Sequence, residues 1–114
     1  MSRLFYDRLI VLEEVEIHIK NHASSKEEQE ELWGLVDEIV SHKVIEKILD
    51  KLPHEHHSGF LEIFHQCPHD EFLIFGYLNE KTGENFEEFL KRELGQLPKE
   101  ILKELNDFIL FFII

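Results

Sequence analysis

The chain has 114 residues, 43% of them hydrophobic and 32% charged, a balance that excludes a disordered tail or a fibrous repeat and fits one folded domain. Twenty-four Asp and Glu against 12 Lys and Arg leave a formal net charge of −12, and a field of that sign repels phosphate backbones and anionic lipid unless a basic face is set apart from it. The densest basic pair, Lys91-Arg92, stands between Glu87, Glu88 and Glu93, so nucleic acid is not an expected partner.

Folding a chain of this length removes about two-thirds of its extended surface from water, so a core is attainable without disulfides or a structural metal. A single domain over residues 1–114 is expected. Cys67 is the one cysteine, and the opening Met-Ser-Arg-Leu-Phe-Tyr-Asp has neither the basic start nor the long apolar stretch of a secretory leader. The cytoplasm is the expected compartment. The longest apolar run is Phe108 to Ile114, against about 20 residues for a helix that crosses a bilayer, so no membrane span is expected.

Residues 4–20 set Phe5, Leu9, Leu12, Val15 and Ile19 on one helical face, which predicts a first helix. Its end, Val15-Glu16-Ile17-His18-Ile19-Lys20, also alternates at period two with β-branched residues, so a strand is the competing expectation there. Asn21-His22-Ala23-Ser24-Ser25 reads as a break. Ser25 and Glu28 then have capping-box spacing, in which each side chain satisfies the other's free backbone donor. A long helix over about 25–51 follows, striped by Leu32, Val36, Ile39 and Val40 and then Val44, Ile45, Ile48, Leu49 and Leu52, with Glu27, Glu28, Glu30 and Glu31 at the positive end of its dipole.

Pro53, Pro68 and Pro98 each stand two positions before an acid, Glu55, Asp70 and Glu100. Each pair looks like a first helical turn, where a missing N–H costs nothing and an acid favours the dipole. Asn85 with Glu88 repeats the capping-box spacing, and Gly83 and Gly95 fall where left-handed helix ends are expected. Helices over about 53–66, 69–80, 85–94 and 98–112 complete an all-α bundle of five to six helices, with shorter helices packing the long one. Phe60, Phe64, Phe72, Phe75, Tyr77, Phe86, Phe89 and Phe108 recur near helical spacing with Leu61, Leu73, Ile74, Leu78, Leu90 and Leu94, and are expected in the core. A ligand pocket lined by the same rings is the alternative, and the spacing does not select it.

Residues 53–80 form the one compositional anomaly: no Lys or Arg, five acids (Glu55, Glu62, Asp70, Glu71, Glu80) and five of the eight histidines (His54, His56, His57, His65, His69). Protonation of those imidazoles near pH 6.5 would make this a pH-dependent surface, while solvated helix-end histidines would titrate without consequence. A second reading is a transition-metal site, zinc or another, drawn from His54, His57, Glu62, His65, Cys67 and His69. His54 with His57 and Glu62 with His65 share helical faces, and His65-Gln66-Cys67-Pro68-His69 gathers three donors in a turn. His-Glu-His-His lacks the spacing of zinc hydrolases, and a single Glu-x-x-His is half of a di-iron carboxylate motif. Cys67 between His65 and His69 has the makings of an activated thiolate, yet no oxyanion-hole loop accompanies it.

The run Phe108, Ile109, Leu110, Phe111, Phe112, Ile113, Ile114 is apolar on every side of a helix and must be buried in the bundle, against a second copy, or against another protein. No lysine cluster flanks it to favour a membrane surface. Trp33, beside Gly34 on the long helix, is a candidate to cover the tail or anchor a partner. Around Leu52-Pro53-His54-Glu55-His56-His57-Ser58-Gly59-Phe60-Leu61 the chain resembles small acidic all-helical bacterial proteins of unknown function. That resemblance covers about residues 50–105, implies a helical fold and transfers no catalytic residue. The expected function is a small acidic interaction or regulatory module without an enzymatic step or a cofactor. Its partner is itself, as a homo-oligomer, or another protein, and its candidate contacts are Trp33, Phe108, Ile109, Phe111, Phe112 and Ile113. The alternatives are the His/Cys/Glu metal protein and an acidic mimic of nucleic acid.

Overall fold

The structure, a computed structural model, describes residues 4–113, and for 108–113 the backbone alone. The described elements are all helical: α1 (Glu13–His22), α2 (Lys26–Lys51), α3 (His57–Gln66), α4 (Glu71–Thr82), α5 (Phe86–Glu93) and α6 (Leu97–Ile113), with 3-10 turns at Asp7–Leu9 and His54–His56. No strand occurs among the described residues. The chain is an all-α bundle, and Val15 to Lys20 lies inside α1, with Val15 and Ile19 buried four residues apart. No described helix is long and apolar enough to cross a membrane.

The helices fall into two compact units. One takes the residues through Ile10 together with Val44–Leu94, the other takes Val11–Lys43 together with the residues from Gly95 onward, so α2 contributes to both. In the first unit α3 packs on α4 and α4 on α5. Its centre is Phe5, fully buried, whose ring meets those of Phe64 at 5.7 Å, Phe75 at 5.5 Å and Phe60 at 6.4 Å, all edge-on. Ile48, Leu52, Ile74, Leu78, Phe86, Leu90 and Leu94 complete that core. In the second unit α1 packs on α6, and Val15, Ile19, Leu97, Ile101 and Leu105 are buried at helical spacing, as are Leu32, Val36 and Val40 of α2.

The first helix does not run from residue 4. Residues 4–12 are a turn, a 3-10 segment and an extended stretch, with Ile10 at φ −121° and ψ 126°. The Asp7 carboxylate accepts the Leu4 N–H at 2.8 Å, and the extended Ile10 ends the 3-10 turn before it can continue as an α-helix. The Phe5 N–H then donates to the Pro68 carbonyl at 2.9 Å, which fixes this strap to the first unit while Val15 and Ile19 belong to the second.

The punctuation also differs in detail. Of the three prolines, Pro98 lies within the first turn of its helix, whereas Pro53 is extended ahead of a 3-10 turn and Pro68 lies in the turn before α4. Asp70 is therefore the N-cap of α4, its Oδ1 accepting the Leu73 N–H at 3.0 Å. Ser25 Oγ accepts from Glu28 N–H at 3.1 Å as the capping box requires, but the Glu28 carboxylate turns to the backbone N–H (2.9 Å) and hydroxyl of Ser24. That pair of donors holds the Glu28 carboxyl below its ordinary range. Asn85 Oδ1 accepts from Glu88 N–H at 3.3 Å. Gly83 takes the left-handed conformation, φ 71°, that ends α4, and Gly95 does not, since Gly83 alone has positive φ among the described residues.

Candidate functional site

The histidine-rich segment is the junction between α2 and α3. His57 Nε2 lies 2.7 Å from the carbonyl of Leu52, and because a carbonyl only accepts, this nitrogen carries the proton. The imidazole thus closes the end of α2. The His54 ring packs edge-on against His57 at 5.1 Å. The His56 carbonyl accepts from Tyr77 Oη at 3.1 Å, across to α4. Gly59 is required beneath that tyrosine, where a Cβ would overlap the phenolic hydroxyl.

Glu62 and His65 lie on the exposed side of α3 and, with Leu61, Phe64 and Pro68, line an open hollow. Cys67 ends α3 half-buried, donating its N–H to Ile63 at 2.8 Å and accepting from Asp70 N–H at 3.1 Å. His69 is exposed in the following turn. The six sequence-predicted ligands are thus distributed between a helix junction, the side of α3 and the turn after it. Among the described residues no three His, Cys, Asp or Glu side chains gather so as to hold an ion. Trp33 is half-buried on α2 beside the buried Leu32. Phe108, Ile109, Phe111, Phe112 and Ile113 share the backbone of α6, and their side chains lie outside the described residues.

Three residues expected in the core lie instead on the surface of the first unit: Phe72 is 93% exposed, Leu73 44% and Leu61 42%. The spacing within α4 explains the first two. Ile74, Phe75 and Leu78 are its buried stripe, and at 3.6 residues per turn Phe72 and Leu73 sit roughly 115° and 145° from the middle of that stripe. Gly76 and Glu80 fall on the same outward face and are exposed. The buried stripe reads i, i+1, i+4, which was the signal in the sequence that a ring at i−2 must point away.

Ion pairs link the N-terminal strap to the start of this helix. Arg8, from the strap, places Nε on Glu71 of α4 and Nη2 on Glu87 of α5. Glu71 first and Glu87 second push the guanidinium further above its ordinary value, though at the surface such pairs contribute little to stability. In the second unit, His18 of α1 keeps a buried Nε2 without a hydrogen-bond partner, and its ring lies 4.1 Å from that of His22. Burial foremost, and the neighbouring His22, push the His18 imidazole below its ordinary value, against the opposing influence of the Asn106 side chain.

Compared with models of protein families, with curated proteins and with solved structures, the chain matches none.

Proposed function

We propose that the chain is a protein–protein interaction module that acts by binding rather than through a reaction of its own. The observation that supports this reading is Phe72, a phenyl ring 93% exposed beside the half-exposed Leu73, on a helix whose opposite face already supplies its core residues Ile74, Phe75 and Leu78. Burying such a side chain is worth about 1.5–3 kcal/mol, a gain the folded chain forgoes by itself and a partner surface would recover. An exposed ring beside a half-exposed apolar neighbour is the kind of patch that marks an interaction site, and a formal charge of −12 keeps the rest of the surface soluble. The apolar run from Phe108 extends the reading to self-association through the tail.

Affinity purification of the tagged full chain, with Phe72→Ser as the paired control, tests the reading. A protein that co-purifies in stoichiometric amount and is lost with Phe72→Ser supports it. Light scattering after size exclusion covers self-association. A strict monomer from micromolar to millimolar concentration, together with no stoichiometric partner, overturns the reading.

A further inference from the structure

We infer that His18 and His22, one turn apart on α1, form a two-imidazole site for a divalent late transition-metal ion of the Cu2+, Ni2+ or Zn2+ class. These residues lie apart from the six ligands expected from the sequence and from the α4 face of the interaction reading. Secondary structure brings them together. Had the period-two pattern of Val15 to Lys20 continued as a strand, positions 18 and 22 would lie about 13 Å apart. Inside α1 they are i and i+4 on one side of a helix, and their ring centroids stand 4.1 Å apart with the planes tilted by 31°. Two imidazole nitrogens bound at about 2.0–2.1 Å to one ion are about 3 Å from each other, so the pair is within the span of a chelate.

Hydrogen bonding prepares both rings. His22 Nδ1 lies 2.9 Å from the His18 carbonyl oxygen, and because a carbonyl only accepts, Nδ1 carries the proton and the neutral ring keeps its lone pair on Nε2. A backbone carbonyl that holds the second ring nitrogen is the arrangement that fixes the tautomer and orientation of a metal-bound histidine. His18 Nε2 is buried without a hydrogen-bond partner, and a buried ring nitrogen in that condition calls for an occupant, an ion or a water. Burial foremost, then His22, disfavours a proton on the His18 ring, which leaves the neutral form that a metal requires.

The donor set selects the ion. His18 is half-buried and His22 exposed, so an ion reaches the pair from the His22 side. Asn106 of α6 lies beside the His18 ring, in the same unit, and its amide oxygen together with water can complete a nitrogen–oxygen shell. No third His, Cys, Asp or Glu joins the pair among the described residues, so the protein's share of the site is a chelate of two imidazoles. Such a set suits late divalent metals, with Cu2+ held ahead of Ni2+ and Zn2+, and not the all-oxygen preference of Mg2+ or Ca2+. The formal charge of −12 favours any cation near the surface, but the paired imidazoles give the choice among cations.

The test titrates Cu2+ alone into the full chain, purified without a histidine tag, and follows it by calorimetry and by the visible absorption of the bound ion. One equivalent is expected to bind ahead of any further ions, with Zn2+ and Ni2+ weaker and Mg2+ unable to compete. His18→Gln and His22→Gln should each weaken that first equivalent by about tenfold or more, because either one removes the chelate. His22 is exposed, so His22→Gln should keep the parent's circular dichroism, which separates a lost ligand from a damaged fold. His54→Gln and His69→Gln, in the other unit, should leave the first equivalent unchanged. Saturating Cu2+ should raise the melting temperature of the parent and not that of His22→Gln, since the ion bridges the two side chains where the helix is formed. A first equivalent that survives His22→Gln, or that His54→Gln or His69→Gln removes, overturns the inference. So does the absence of a saturable equivalent, or a set of weak equivalents alike in every variant, which is an adventitious ion only. None of these results bears on Phe72, whose partner the co-purification experiment above decides independently.

Discussion

Phe5→Ala is the sharpest test of how the N-terminal strap is held. Phe5 is fully buried and its ring contacts those of Phe60, Phe64 and Phe75, with Tyr6 edge-on at 5.1 Å. Removing a buried phenyl group costs about 3–5 kcal/mol, the lost transfer free energy plus the cavity left behind. The surrounding rings sit on α3 and α4, which are braced against each other, and the strap itself is fixed by the Phe5 N–H to the Pro68 carbonyl at 2.9 Å, so collapse onto the hole is restricted and the upper half of that range is expected. For a domain of this size the loss corresponds to a fall in melting temperature of about 15–20 °C. Urea denaturation followed by circular dichroism gives the magnitude, and amide exchange gives the place, with protection falling first in α3 and α4. A cost under about 1 kcal/mol, or loss of protection confined to α1, would mean that Phe5 belongs to a helix continuous with Val15 after all and would refute the strap.

Gly59→Ala should destabilise by about 1–3 kcal/mol through overlap with the Tyr77 hydroxyl; in the Tyr77→Phe background, which removes the overlapping oxygen, the cost should shrink, and a double-mutant cycle in urea measures the coupling. Asp70→Ala removes the cap on the Leu73 N–H and should cost about 1 kcal/mol, whereas Asp70→Asn should recover most of it in the same melts. For His18, a folded-state value pushed down by burial and His22 means that the unfolded chain binds this proton more readily. Its contribution is fully present above the unfolded value of about 6.5 and is lost progressively as pH falls below it. Denaturation midpoints measured from pH 7.5 to 5 should therefore drop less steeply in His18→Gln than in the parent, and identical slopes would remove the effect.

The amphipathic stripes made the helical class and the long α2 legible, because a period near 3.6 with Leu32, Val36, Val40, Val44 and Ile48 all buried has no other economical solution. The start of the chain was not legible in the same way. Phe5, Leu9, Leu12, Val15 and Ile19 satisfy a helical wheel as well as any segment, but a wheel does not register that Phe5 is bonded to Pro68, nor that the two ends of the pattern pack in different units. The proline punctuation failed for a related reason: an acid two residues after proline fits a first turn and an N-cap equally well, and at Asp70 the side-chain bond to Leu73 N–H decides for the cap. In the histidine segment the composition was conspicuous, yet the use of His57 to close α2 through the Leu52 carbonyl depends on a turn that no spacing rule encodes.

The shift of Asp70 from first turn to cap also bears on what Phe72 can do. A capped start, with Glu71 clasped by Arg8 from the strap, restrains the turn that carries the exposed ring, where an uncapped terminus would fray. Side chains presented from a restrained turn lose less conformational freedom when a partner covers them, and the ordering cost of about 0.5–1.5 kcal/mol per immobilised side chain falls mainly on the ring's own rotamers. Weakening the cap should then lower affinity at the α4 face even though Asp70 contributes no apolar contact. Such an effect should appear in Asp70→Ala and be recovered by Asp70→Asn, which keeps the acceptor on the Leu73 N–H. Loss of affinity in both variants would refute a cap that positions the anchor.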